Sequence, residues 1–173
     1  MTVRVRQSAT VQVNVTERSV TYITNTMFRM FLRIARACGL TPDYITSNRE
    51  IIENGLFAWL AEATLLQAHL EVYFPGQGDA LERWDFAFSY ASTPGAGTHE
   101  PPVAEAERFC AALEALPPGA SFRVVIQTAP GATEVPGWVP AQLRRLDETG
   151  NQAFEAWGLD GLSAAVTYRA GTR

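Results

Sequence analysis

Gly76-Gln77-Gly78-Asp79-Ala80-Leu81-Glu82-Arg83-Trp84-Asp85-Phe86-Ala87-Phe88-Ser89-Tyr90 is the stretch that decides the fold. Its first residues, with Pro75 before them, are turn formers. From Leu81 to Tyr90 the residues alternate, placing Trp84, Phe86, Phe88 and Tyr90 on one face. Upstream of the turn, Leu66, Ala68, Leu70, Val72 and Phe74 alternate with Gln67, His69, Glu71 and Tyr73. Two such runs joined by a short turn predict an antiparallel hairpin with one buried face. The aromatic row reads as core, and His69 falls on the polar side.

Working outward, the hairpin is preceded by two helical patterns. Between Ser19, a candidate N-cap, and Gly39, a left-handed stop, Val20, Ile23, Met27, Met30, Phe31, Ile34 and Cys38 form one stripe. A helix this apolar needs a partner surface. Arg29, Arg33 and Arg36 occupy its other face, which reads as solvated or as a site for an acidic partner. Ser47-Asn48-Arg49-Glu50 has the form of a capping box and opens a helix predicted over Ser47–Leu60, with Gly55 as a small-residue packing site or a local weakness.

After the hairpin, a Gly/Pro-rich loop from Thr93 to Pro102 leads to a third helix over Val103–Leu116, ended by Pro117-Pro118-Gly119. Phe122, Val124 and Ile126 alternate with Arg123 and Gln127 in a further strand. Pro130 to Pro140 is rich in residues that break regular structure, and the chain ends in alternation from Leu162 to Tyr168. At the other end Val3, Val5, Val11, Val13 and Val15 alternate with polar residues as an extended arm.

The length of 173 residues suits one domain, and 47% hydrophobic with 18% charged residues is a globular composition. A net charge of −4 argues against direct nucleic-acid binding, which leaves a basic footprint. No run approaches the ~20 apolar residues of a membrane helix, and no secretory signal opens the chain, so the expected location is cytoplasmic. Cys38 and Cys110 both fall on apolar helix faces and read as buried thiols rather than a disulfide.

The search for chemistry yields little. His69 and His99 share no metal-ligand spacing with each other or with the cysteines, so no metal site, no cofactor and no catalytic residue is assigned. Gly95-Ala96-Gly97 follows a strand and precedes a helix, but the third glycine of a phosphate loop is missing and Pro101-Pro102 removes the N–H donors. Glu105 and Glu107 suit the start of a helix. Trp59 and Trp84 read as core, whereas Trp138 and Trp157 either anchor the irregular C-terminal part or contact a bound peptide.

The order of elements, and Leu81-Glu82-Arg83-Trp84-Asp85-Phe86 within it, resembles HORMA domains, including the spindle-checkpoint members. Trp59-Leu60 and the strand that follows are similar to the segment just upstream in that family. The resemblance covers most of Thr16–Thr128, fades beyond Pro130, and is nearest to bacterial HORMA proteins of antiphage (CBASS-type) signalling. It implies an α/β (α+β) HORMA fold, a mainly antiparallel sheet packed on three helices, with a mobile C-terminal safety belt. The chain then divides into an arm (1–15), a core (16–129) and a hinge and belt (130–173).

What the resemblance implies about function is a binding switch without enzymatic activity of its own. The belt closes around the closure-motif peptide of a partner, and the closed form regulates a cGAS/DncV-like nucleotidyltransferase. An AAA+ ATPase engaging Thr2, Val3, Arg4 and Val5 would reopen it. By position, Phe122, Val124, Ile126, Trp138, Trp157 and Val166 are the expected peptide contacts. From Gln142 onward apolar residues are sparse, so the belt is expected to hold less firmly than the first helix. Two other readings stay open: a constitutive scaffold or partner of a second HORMA protein, and a small enzyme using the Gly95–Glu100 loop.

Overall fold

A computed structural model describes residues 16–90 and 100–172. The expected ATPase handle (Thr2, Val3, Arg4, Val5), the Gly95–Gly97 loop and His99 lie outside the described residues.

Helix α1 (Glu17–Ala37) begins one turn earlier than its stripe suggests, because Thr16 is the cap. Its hydroxyl accepts from the Ser19 N–H at 3.1 Å, and the Ser19 hydroxyl accepts from the Thr16 N–H at 3.0 Å. Ser19 is therefore the inner half of a capping box, not the cap itself. At the other end Gly39, with φ of +77°, closes a Schellman turn in which Leu40 N–H reaches the Ala35 carbonyl at 2.9 Å. Val20, Ile23, Met27, Met30, Phe31 and Ile34 are all buried, as the periodicity requires.

The second helical pattern forms as one helix that starts two residues later than expected, with a short unpredicted helix before it. A short α2 (Asp43–Ser47) is followed by α3 (Arg49–Ala61), and no side chain caps α3 at Asn48. The expected Ser47 capping box does not form, since Ser47 is itself helical. The hairpin is β1 (Leu65–Tyr73) and β2 (Ala80–Tyr90), paired antiparallel from Gln67 opposite Ala87 to Tyr73 opposite Ala80. Helix α4 (Val103–Ala112) stops short of Leu116 because Leu113 is already extended. Strand β3 (Ser121–Thr128) then pairs with the outer edge of β1.

Beyond β3 the chain carries three more strands: β4 (Glu148–Ala153), β5 (Trp157–Leu159) and β6 (Leu162–Gly171). Among the described residues the sheet runs β3-β1-β2-β6-β4, with β5 folded back on β6, and every pairing between these strands is antiparallel. The terminal strand thus enters the sheet beside β2, paired from Glu82 opposite Ala170 to Tyr90 opposite Leu162.

The core lies between the helices and one face of this sheet. Phe31 of α1 meets Phe86 edge-on at 5.2 Å, while Trp84 stacks on Phe154 at 5.6 Å and touches Tyr168 at 5.0 Å and Phe109 at 6.0 Å. From Gln142 onward the sparse apolar residues predict a hold less firm than that of α1. Within that stretch only 142–153 fits, having no buried residue. Trp157, Leu162, Ala164 and Val166 are fully buried.

Candidate functional site

Strand β3 forms one end of the sheet, so one of its two backbone edges has no strand beside it among the described residues. The chain that leaves it, residues 129–147, does not turn back as a hairpin. It forms a strap that passes along α3, rounds the β3 edge and crosses the sheet face opposite the helices.

Point contacts hold the strap to α3. Trp59 donates its indole N–H to the Thr133 carbonyl at 2.8 Å, and Glu62 accepts from both the Thr133 N–H and the Thr133 hydroxyl. Trp138 donates its indole N–H to the Ile51 carbonyl at 2.9 Å and meets Trp59 edge-on at 5.2 Å. This approach needs two glycines for different reasons. A Cβ on Gly55 would lie 2.4 Å from Trp138 Nε1, so Gly55 is a notch for the indole. Gly137 has φ of +89°, and a Cβ there would meet Ile51 at 2.9 Å.

On the opposite face the strap is pinned by charge. Glu71 of β1 is fully buried, and its carboxylate accepts from Arg123 of β3 at 2.7 Å and from the Arg144 guanidinium at 3.0 Å. The Arg144 backbone N–H also reaches Glu71 at 2.8 Å, and its guanidinium lies 3.6 Å above the Tyr73 ring. Arg123 spends its other nitrogen on the Gln142 carbonyl. Alternation places Glu71 and Arg123 on the face away from Leu70 and Val124, so 142–144 must cross that face.

A second polar cluster lies along the same face. Asp85 of β2 is in contact with His69 Nδ1 at 2.6 Å and accepts from Arg83 at 2.7 Å and Arg169 at 2.6 Å. Burial alone would push the Asp85 carboxyl up; the hydrogen bonds and charges of His69 and Arg83 outweigh it and bring it down to about 2. Arg169 reaches on to Glu148, linking β2, β6 and β4. His69 is 1% exposed, against its expected surface position.

Between strap and edge lies a groove of about 700 Å³. Its walls include Val124, Val125 and Ile126, three consecutive residues of β3. Consecutive strand residues point to opposite faces, so the groove encloses the edge itself rather than one side of the sheet. Trp59 and Trp138 also line it, and Val139, 79% exposed, lies on the strap side.

The Bacterial HORMA domain 2 family matches residues 8–171. The chain is a bacterial HORMA domain. No curated protein matches it. Its fold is shared with a chain of the mitotic checkpoint complex, at 13% identity and TM-score 0.74, covering 90% of this chain and 99% of that one. C. elegans HTP-2 bound to the HIM-3 closure motif follows at 14% and 0.72, covering 88% and 90%. A chain of the E. coli MS115-1 CdnC:HORMA-deltaN complex matches at 14% and 0.64, covering 92% and 93%.

Of the expected peptide contacts, this HORMA domain brings three together: Val124, Ile126 and Trp138 line the groove. Phe122 is buried further along β3, edge-on to Tyr44 at 5.7 Å. Trp157 and Val166 lie in the core: Trp157 donates to the Thr26 hydroxyl of α1 at 3.0 Å, and Val166 pairs with Phe86. Val125, Gly55, Ile51, Glu71 and Arg144 were not singled out as site residues. Gly55, read as a packing site, carried the one usable signal; the others act through partners far away in sequence.

Proposed function

We propose that this HORMA domain binds an extended closure-motif peptide as an added strand on β3, held under the strap. The groove that encloses both sides of the β3 edge carries this reading. A peptide lying there would donate and accept main-chain hydrogen bonds along the edge, and its alternate side chains would meet Val124 and Ile126 on one side and Val125 on the other. Apolar walls favour apolar side chains at those positions. The likeness to HTP-2 bound to a closure motif supports the mode, and the likeness to a CdnC:HORMA complex supports a nucleotidyltransferase as the regulated partner.

On this reading residues 130–173 act as hinge and belt in cytoplasmic antiphage signalling, and an AAA+ ATPase pulls residues 2–5 to release them. The experiment is selection of peptides from a display library against the full chain, followed by hydrogen exchange. Selected peptides should slow exchange at β3 amides and lose at least tenfold in affinity against Ile126→Asp. Peptides that protect another surface, or bind the variant equally, would overturn the proposal. Addition of the closed domain to a cGAS/DncV-like nucleotidyltransferase should raise its product formation, and deletion of 1–15 should abolish only ATP-dependent release.

One observation favours a second reading, a domain that stays closed. The strand that would have to detach on opening carries fully buried Val166 and lies against buried Trp157. Peptide release that never depends on the ATPase would select it.

A further inference from the structure

Cys38 and Cys110 are far apart in sequence, yet their sulfur atoms lie 3.0 Å apart. Cys38 caps the C-terminal end of α1, half-buried, and Cys110 lies in the last turn of α4, 5% exposed. Neither thiol belongs to the groove or the strap. A cleft of about 220 Å³, walled by Gly39, Leu113 and Leu116 beside the two cysteines, opens onto them. Helix α4 docks on the core through Phe109, whose ring meets Trp84 at 6.0 Å, Phe154 at 5.5 Å and Tyr168 at 5.0 Å. Only Ala106 and Cys110 are deeply buried in it, and its charged link to α1 is the exposed pair of Arg33 with Glu107. A covalent link at this position would add a fixed point between α4 and α1 to that apolar docking.

We propose that Cys38 and Cys110 form an oxidation site, at which hydrogen peroxide converts the thiol pair to an intramolecular disulfide that staples α4 to α1. The half-buried Cys38 is the sulfur that a small oxidant entering the cleft reaches first. Its thiolate attacks one peroxide oxygen, the O–O bond breaks, and Cys38 becomes a sulfenic acid as one water leaves. The Cys110 sulfur then attacks Cys38, the S–O bond breaks, and the second water carries off the hydroxyl with the Cys110 proton. Two thiols lose two electrons and two protons in all, and the peroxide is reduced to water. A dithiol reductant reverses the step.

The test uses the full chain, hydrogen peroxide and alkylation after unfolding. Before oxidation both cysteines should alkylate. Afterwards neither should, no disulfide-linked dimer should appear on a denaturing gel without reductant, and dithiothreitol should restore both. In Cys110→Ser the reaction should stop at Cys38 as a sulfenic acid trapped by dimedone. The staple closes a long loop, so the oxidised chain should melt on the order of 10 °C higher than the reduced one, a rise absent from Cys110→Ser. Alkylation unchanged by peroxide, disulfide-linked dimers, or Cys38 sulfinic acid beside an intact Cys110 thiol would each overturn the site. An oxidised chain with an unshifted midpoint would overturn the stapling.

Discussion

Trp138 and Trp157 both stand in the C-terminal third of the chain, both beside a glycine, and both donate an indole N–H. Trp138 rests on the outside of α3, bonded to the Ile51 carbonyl over the Gly55 notch. Trp157 is 1% exposed, bonded to Thr26 and edge-on to Phe86 at 6.5 Å. The first belongs to a strap fixed by a few polar contacts, the second to a clasp woven into the core. The chain after β3 is thus two structures in series, and only the strap has the low apolar burial of a segment that moves readily.

Substitutions should separate the two. The largest effect is expected from Trp157→Ala, which empties a core site and leaves Thr26 without its donor; a loss of about 3–5 kcal/mol in denaturant unfolding is expected. A loss below about 1 kcal/mol would mean that the clasp is not part of the cooperative core. Next comes Glu71→Gln, which deprives Arg123 and Arg144 of their shared carboxylate. Because both arginines are partly solvated, the expected cost is roughly 1–3 kcal/mol, with faster hydrogen exchange around 142–145 and not in β6. Equal acceleration of both segments would erase the distinction.

Acid should act on the clasp. Asp85 has its folded value lowered to about 2 from 3.8, so its contribution is fully present above about pH 4 and is lost as pH falls toward 2. After allowance for solvent screening this amounts to roughly 1 kcal/mol, and Asp85→Asn should flatten that limb of a stability-versus-pH curve. An unchanged acid limb in the variant would remove Asp85 from the account. The smallest global effect belongs to Gly55→Ala. Helix propensity there gains up to about 1 kcal/mol, offset by a contact of the new methyl with the Trp59 ring, while the same methyl forces Trp138 out of its notch. Unfolding should shift by less than about 1 kcal/mol, yet protease should cut the strap faster and selected peptides should bind more weakly. Unaltered strap cleavage would show that Trp138 does not hold it.

Much of the core was legible because its signals are local. The α1 stripe, the alternation on both sides of Gly76, and the run from Leu162 to Tyr168 each follow from a period that a buried face imposes. Strand β4 was not legible, since Glu148–Ala153 is exposed throughout and its pairing with β6 leaves no apolar pattern. Helix boundaries slipped where caps decide them, at Thr16 and at Asn48. Of the groove, Val124 and Ile126 could be found from their strand. Val125 could not, because a residue on the polar side gains meaning only once a strap covers that side.

By itself the sequence determined the three long helices, the hairpin, β3 and the terminal strand around one core, and through Leu81–Phe86 which family they resemble. Its periodicities record what each element buries, and burial is what alternation and helical stripes encode. Tertiary structure alone decided that β6 inserts beside β2, that Glu71 holds Arg123 and Arg144, and that Trp138 finds Gly55. These are contacts between residues distant in the chain, one hydrogen bond or one notch at a time. Such contacts leave no period to read, and they are what turns an open β3 edge into an enclosed groove.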